Sequence, residues 1–174
     1  MKKLLVLRHA HAHGPASAPT DFDRGLDSRG REQAARVGRT LRARGLAFDA
    51  IVASPALRVE ETIAGLGQGA GIRIAVSYDP RIYEASVETL LDVIREVDDP
   101  VERLLIVGHN PGLQGLLLNL AEEDPEGLRG EVGLSYPTAV LAELCLTVGQ
   151  WRDIGPGRGR IVSLIRPTAS ANRS

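Results

Sequence analysis

Four basic side chains stand where this chain could do chemistry on a phosphate group. Arg8 and His9 directly follow the strand-like run Lys3–Leu7, and Arg58 and His109 come shortly after two later apolar runs. An arginine guanidinium binds oxyanions through its fork of donors, and a neutral imidazole can act as a nucleophile or base. Because a buried strand usually stays apolar up to its turn, charged residues at its end indicate a functional site there.

The segments around Arg58 and His109 share one design, in which a helix follows directly on an apolar strand. In the first segment Ser54 is expected to cap a helix that begins at Pro55, and in the second a helix is expected to begin at Pro111. The N-terminus of a helix binds anions through its free N–H groups and its dipole. Ligands of open α/β sheets lie beyond the carboxyl ends of the strands, so the sequence predicts one phosphate pocket at this edge.

Strand-like and helix-like segments alternate along the chain, which favours the α/β class. This alternation predicts a mainly parallel central sheet, with one antiparallel strand, between two layers of helices. The predicted strands are Lys3–Leu7, Ala50–Ala53, Ile72–Ser77, Arg103–Gly108, Thr138–Val148 and Arg160–Ile165, the last two as an antiparallel pair. The predicted helices are Ser28–Arg44, Pro55–Leu66, Ser86–Val97 and Pro111–Leu120, with Ser28 as a cap and a loop over Glu122–Gly133. Residues 1–166 are expected to form a single domain, and 167–174 a flexible C-terminal tail.

Composition excludes several classes of function. With 21 basic and 22 acidic residues, the chain lacks the basic excess of a general nucleic-acid binder. No segment approaches the ~20 apolar residues of a membrane span, and the amino terminus is a poor signal peptide. The single cysteine, Cys145, excludes an internal disulfide and fits a reducing compartment. We therefore expect a cytoplasmic protein with no nucleic-acid or membrane partner.

Three motifs resemble those of the histidine phosphatase superfamily, whose fold is phosphoglycerate mutase-like. Leu7–Ala10 resembles its Arg-His-Gly/Ala signature, Ser54–Thr62 its second motif and Val107–Asn110 its third. The short length and the form of these motifs are most similar to the SixA-type phosphohistidine phosphatases. The segment Asp23–Gly30 is also similar to that group, although Gly25 stands where proline is common.

The resemblance implies a phosphoryl transfer in two steps. His9 would attack phosphorus and become phosphohistidine, which water would then hydrolyse. Arg8, Arg58 and His109 would hold the three phosphoryl oxygens and stabilise charge in the transition state. Arg24 would close the pocket from its loop. No metal or cofactor is implied, and a hydrogen bond from the other ring nitrogen of His9 to a carbonyl would fix its tautomer.

The general acid of such a reaction is less well defined. Glu84 is the best candidate, because many superfamily members use a carboxylate from the stretch after the third strand. The alternative is that Glu84 is simply an exposed residue before a helix. Imidazole leaves phosphorus more easily than an alkoxide does, so a weak or absent acid favours phosphohistidine as substrate. That substrate would be carried by a protein such as a phosphotransfer domain.

Two alternative functions stay open: a small-molecule phosphomonoesterase and a non-catalytic phosphate-binding module. The oligomeric state also stays open, with a monomer as one option.

The histidines after His9 have a second interpretation. On an extended chain His9, His11 and His13 would point to one side, and such a pattern can bind a metal. We expect instead that His11 lies at the rim of the pocket and that His13 is a solvated loop residue. Adjacent strand residues also point to opposite faces, so the first strand must end or twist at Leu7–Arg8 if Arg8 and His9 share a pocket.

Overall fold

The computed structural model describes residues 1–73 and 75–168, and these fold into a sheet with helices on both faces. The strands are β1 (Lys2–Arg8), β2 (Ala50–Ala53), β3 (Val76–Tyr78), β4 (Arg103–Gly108), β5 (Leu141–Leu146) and β6 (Gly159–Ile165). The helices are α1 (Ser28–Arg44), α2 (Leu57–Ala70), α3 (Val87–Arg95), α4 (Gly112–Leu120) and α5 (Leu128–Leu134). This arrangement confirms the predicted three-layer α/β/α class.

The strand order in the sheet is β3-β2-β4-β1-β5-β6. Neighbours from β3 to β1 are parallel, whereas β5 is antiparallel to both β1 and β6. Among the described strands β5 therefore runs against the rest, as predicted. Because β2, β4 and β1 are neighbours in the sheet and run parallel, their carboxyl ends lie at one edge of the sheet, where a ligand site is expected.

Alternation along β1 divides the protein into two cores. Leu4 and Val6 face a core shared with α3 and α4, while Leu5 and Leu7 face a core shared with α1 and α2. All four side chains are at most 2% exposed. Both faces of the central strand are covered, which explains why β1 is a nearly continuous apolar run.

Helix α2 continues to Ala70, past the predicted end at Leu66, although glycines interrupt its sequence. These glycines are contact points with α1: a Cβ on Gly69 would lie 2.0 Å from the carbonyl oxygen of Ala35. A Cβ on Gly38 of α1 would lie 2.2 Å from the carbonyl oxygen of Leu66. The prediction of an early end was wrong because the glycines allow close backbone packing of two helices.

Strand β3 is shorter and later than predicted. The predicted strand Ile72–Ser77 begins too early, since the Ile72 N–H donates to the Gly67 carbonyl and completes the end of α2. Among the described residues, the observed strand pairs only with Ile51–Ala53 of β2, and it forms an edge of the sheet. Its length is therefore limited by its short partner.

The predicted loop Glu122–Gly133 contains a helix, α5. The Asp124 carboxylate accepts hydrogen bonds at 2.8 Å from the N–H groups of Leu128 and Arg129, and Val132 is fully buried. The segment has too few apolar positions to show a helical periodicity, which is why the sequence predicted a loop. Helix α1 has the predicted bounds, but its cap is Asp27, whose carboxylate accepts from Gly30 N–H, and not Ser28.

Strand β5 is shorter than the predicted Thr138–Val148, whereas β6 matches the predicted Arg160–Ile165 except that it begins one residue earlier. Strand β5 begins at Leu141, because Ala139 adopts a left-handed φ of 59° and cannot continue a strand. Most of the predicted tail, residues 169–174, lies outside the described residues. Within the described part of the chain, no helix has the length and apolar character needed to cross a bilayer.

Candidate active site

The carboxyl ends of three adjacent strands place the basic residues. Strand β1 ends at Arg8, and the His9 N–H donates to the Gly108 carbonyl at the end of β4. His109 follows β4, and Arg58 lies in the first turn of α2, after β2. The ring centroids of His9 and His109 are 5.3 Å apart. The structure therefore brings these residues together, and β1 ends where a shared pocket requires it to end.

His9 is a neutral imidazole with a defined tautomer. Its Nδ1 lies 2.8 Å from the Ala10 carbonyl oxygen, which can only accept, so Nδ1 carries the proton and Nε2 a lone pair. Burial lowers the pKa of His9 to about 4, and the charges of Arg58 and Arg8 contribute further. The hydrogen bond expected from the sequence is present, but burial outweighs the arginines as the cause of neutrality.

His109 is also neutral, with the opposite tautomer. Its Nδ1 lies 3.3 Å from Nη2 of Arg58, which can only donate, so Nδ1 accepts and Nε2 carries the proton. Nε2 in turn lies 2.8 Å from the Ser54 Oγ and donates to it. Burial lowers the pKa of His109 to about 3, and the neighbouring His9 and Arg58 lower it further.

The helix starts beside the site differ from the predicted ones. Helix α2 begins at Leu57, and Ala56 with an extended ψ of 141° precedes it, so Pro55 is outside the helix. Ser54 makes no cap; its Oγ accepts from His109 and from the Ala56 N–H. Pro111 is the N-cap of α4 and not its first residue. The Ser54 hydroxyl therefore positions the imidazole of His109 and does not cap a helix.

Arg8 and Arg58 each have one buried N–H donor that makes no hydrogen bond to the described residues. In both side chains this donor is the Nε–H group. Buried N–H groups are rarely left unpaired, so an acceptor belonging to a ligand would satisfy them. The remaining contacts position the side chains: Nη1 of Arg8 donates to the Tyr136 carbonyl at 3.1 Å, and Nη1 of Arg58 donates to the Asp21 carbonyl at 2.7 Å.

Tyr136 is a positioning residue that the sequence did not suggest. Its carbonyl also accepts from the side-chain amide of Asn110, and its hydroxyl donates to the Val6 carbonyl at 2.6 Å. It thereby ties the loop before β5 to both β1 and the loop after β4. No motif marks this tyrosine, because its role depends on backbone groups distant in sequence.

Asp21 is a second residue that the sequence did not suggest. Its Oδ2 accepts from the Tyr83 hydroxyl at 2.6 Å and from Nη2 of Arg58 at 3.0 Å. Its Oδ1 accepts from Nε of Arg24 at 2.9 Å. Hydrogen bonds from Tyr83 and Arg24, together with the charge of Arg58, hold the pKa of Asp21 well below its usual range. Its position three residues before Arg24 was the one available signal.

Among the described residues, neither Arg24 nor Glu84 makes a hydrogen bond to His9 or His109. Arg24 contacts Asp21, its charge contributes to the lowered pKa of His9, and its Nη1 donates to the His13 carbonyl at 2.7 Å. Glu84 is exposed, has a left-handed φ of 54°, and lines a cleft of about 460 Å³. The other residues lining this cleft are Asp21, Arg58, Ala85, Ser86, His109, Asn110, Pro111 and Gly112.

His11 and His13 do not join His9. The His11 ring hydrogen-bonds through Nδ1 to the Asp27 carboxylate at the start of α1, and His13 is exposed. Among residues 1–73 and 75–168, no three His, Cys, Asp or Glu side chains group as a set of metal ligands. Together with the tautomer of His9, these contacts leave the alternating histidines as separate groups.

Fold and site together define a class of protein: an α/β protein with a pocket formed by arginine and histidine side chains at the carboxyl ends of its strands. Residues 4–98 match the sequence profile described as Histidine phosphatase superfamily (branch 1). A relative from Mycobacterium tuberculosis, itself uncharacterized, is 34% identical over 163 residues, which is 92% of this chain and 99% of the relative. The chain therefore belongs to the histidine phosphatase superfamily.

Solved structures agree with this membership. A candidate phosphohistidine phosphatase SixA from Nakamurella multipartitia is 29% identical, with a TM-score of 0.82 and 97% coverage of both chains. A candidate SixA from Agrobacterium tumefaciens is 28% identical, with a TM-score of 0.78 and coverage of 95% and 99%. A protein histidine phosphatase SixA complexed with tungstate shares the fold at 19% identity and a TM-score of 0.76, with coverage of 95% and 97%. The protein is thus a SixA-type member of the superfamily.

Proposed function

We propose that this protein hydrolyses phosphohistidine on a protein partner, without a metal ion, through a covalent intermediate on His9. The observation that carries the proposal is the state of His9: a buried, neutral imidazole whose Nδ1–H bond to Ala10 leaves Nε2 free to attack. A nucleophile of this kind needs no metal to activate it, because its lone pair is already available at neutral pH.

The first step forms a bond between His9 Nε2 and phosphorus while the bond to the leaving group breaks. The unpaired Nε–H groups of Arg8 and Arg58 supply donors for the phosphoryl oxygens. His109 holds Arg58 in place before the substrate arrives and then contacts the third oxygen. In the second step water attacks phosphorus, free phosphate leaves, and His9 returns to its neutral form.

The test is phosphate release from a phosphohistidine-bearing protein in excess EDTA. Wild-type protein should release phosphate, and His9→Ala should lose at least about 1,000-fold in rate, because the covalent route is then closed. His13→Ala is the matched control, since that histidine is exposed and should leave the rate unchanged. Activity that survives in His9→Ala, or that disappears with EDTA in the wild type, would contradict the proposal.

A small-molecule phosphomonoesterase is the second candidate, and the position of Glu84 favours it. This carboxyl lines the same cleft as Arg58 and His109 and could donate a proton to an alkoxide leaving group. Under this alternative Glu84→Gln cripples hydrolysis of alkyl phosphates. Under the phosphohistidine proposal Glu84→Gln changes little on the phosphoprotein, because imidazole departs without a strong acid.

A further inference from the structure

The residues around Asp21 form a rim at the mouth of the pocket. His9 is 8% exposed and the Arg58 side chain 6%, whereas the Asp21 side chain is 48% exposed. Phe22 packs edge-on against Tyr83 at 5.3 Å, and Tyr83 packs edge-on against His109 at 5.4 Å. We call the group Asp21, Phe22 and Tyr83 the acidic-aromatic rim.

The geometry of in-line displacement determines which part of the substrate contacts this rim. The entering and leaving groups lie on opposite sides of phosphorus, so the leaving group points away from His9. His9 is buried, its ring lies 5.3 Å from that of His109, and His109 packs against Tyr83 of the rim; a leaving group that points away from His9 toward solvent therefore meets the rim. Glu84 shares this cleft but has no hydrogen bond that fixes its carboxyl among the described residues, whereas Asp21 is held by three side chains.

The chemistry of the rim suits one kind of leaving group. Asp21 is an ion, because Tyr83, Arg24 and Arg58 all stabilise its charged form. A carboxylate accepts a hydrogen bond but cannot give a proton, so it does not assist an alkoxide. A protonated imidazole ring has the complementary properties: it is a cation, it donates through its free N–H, and it packs on aromatic faces.

We infer that Asp21 is a specificity residue, whose carboxylate binds the N–H of the protonated imidazole ring of phosphohistidine while Phe22 and Tyr83 contact the ring. This inference rests on the proposed function and identifies the group that selects its substrate. The P–N bond of the substrate breaks and its electron pair returns to the ring nitrogen, as His9 Nε2 forms the new P–N bond. The ring keeps the proton on its other nitrogen and leaves as neutral imidazole, so no proton donor is required.

The selectivity has a second component, which is the competition for Arg58. In the free protein Asp21 accepts hydrogen bonds from Arg58 through both its carboxylate and its carbonyl. A dianionic phosphate ester must approach this carboxylate without offering it a donor, and the like charges repel. A phosphorylated imidazolium offsets that repulsion with its own positive charge.

The experiment compares kcat/KM for phosphoimidazole and p-nitrophenyl phosphate, whose leaving group departs without protonation. Asp21→Asn should lose about 10- to 100-fold on phosphoimidazole, the range for a lost charged hydrogen bond. On p-nitrophenyl phosphate it should gain a few-fold, because the repulsion is removed and Arg58 is released. Asp23→Asn is the control: this carboxylate lies in the same turn, accepts from Thr20 and should leave both values unchanged.

Opposite changes on the two substrates separate selection from simple support of the fold. An equal loss on both substrates would show that Asp21 only positions Arg58, and no change on either would show that it takes no part in the reaction. Each result would overturn the inference while the proposed function stands. A wild-type protein that hydrolyses p-nitrophenyl phosphate but neither phosphoimidazole nor a phosphohistidine protein would overturn both. Tyr83→Phe keeps the ring and removes the hydroxyl bond to Asp21, so it should show a smaller change in the same direction.

Discussion

Among the individual residues of the site, burial sets the charge of the two imidazoles. His9 and His109 lie close to two arginines, and both have pKa values far below that of a free histidine. Their hydrogen bonds then fix opposite tautomers: the proton is on Nδ1 of His9 and on Nε2 of His109. Two identical side chains thereby carry their lone pairs on different ring nitrogens, Nε2 in His9 and Nδ1 in His109.

His109 should take up a proton when an oxyanion binds. In the free protein its Nδ1 presents a lone pair to Arg58, and a lone pair would repel a phosphoryl oxygen. The negative charge of the ligand raises the pKa of His109 from about 3, so Nδ1 gains a proton and becomes a donor. The measurement is ¹⁵N NMR of the ring at pH 6, with and without saturating tungstate.

The control for this prediction is His13→Ala, which should show the same proton uptake on binding. Isothermal calorimetry in buffers of different ionisation enthalpy gives an independent count of the protons bound. A His109 Nδ1 that stays unprotonated in the tungstate complex would mean that Arg8 and Arg58 alone hold the oxygens.

Among the helices and strands, glycines decide how α1 and α2 meet. The two helices pack so closely that several backbone positions leave no space for a side chain, as at Gly38 and Gly69. This packing fixes the position of α2, and α2 carries Arg58 in its first turn. The glycines at the end of α2, where the sequence predicted that the helix had already ended, therefore help to position Arg58.

Gly69→Ala should destabilise the fold, whereas Gly130→Ala should not. The new Cβ at position 69 would lie 2.0 Å from the Ala35 carbonyl oxygen, so the helices must separate, at a cost of about 1–3 kcal/mol. Gly130 lies in α5, and a Cβ added there would have no atom within 4 Å, so alanine should add up to about 1 kcal/mol through helix propensity. Urea unfolding of the two variants and the wild type provides the comparison; equal stabilities would contradict the close-packing explanation.

For the molecule as a whole, folding buries two groups that bind protons far more readily when the chain is unfolded. An unfolded histidine has a pKa near 6.5, while folded His9 and His109 stay neutral down to about pH 4 and 3. Between pH 6.5 and 4 the unfolded chain therefore binds more protons than the folded one. The free energy of unfolding must fall as the pH falls through this window.

The expected slope is up to about 1.4 kcal/mol per pH unit for each histidine, before any carboxylate titrates. Urea unfolding at pH 7, 6 and 5 measures it. His9→Gln should reduce the slope by roughly half, because one of the two buried imidazoles is gone. A stability that is flat across this range would show that water reaches both rings.

Local patterns in the chain were enough to predict the class of its fold, and its motifs were enough to predict the superfamily to which it belongs. They gave β2, β4 and the bounds of α1, because alternation and periodicity depend on neighbouring residues alone. Arg8, His9, Arg58 and His109 could be placed together because parallel strands share one edge. Their roles in catalysis stay predictions, as do those of Glu84, Arg24 and His11.

The groups that surround these side chains became known only from the folded structure. Asp21 reaches Arg58 and Tyr83 across 37 and 62 residues of sequence, and Tyr136 reaches Val6 across 130. Such contacts leave no local pattern, since they join loops that only the folded sheet brings together. The same reason explains the extended α2 and the contact of Ser54 with His109: each depends on a partner distant in sequence. Helix α5 differs, because its capping contact with Asp124 is local and too few of its positions are apolar to show a helical period.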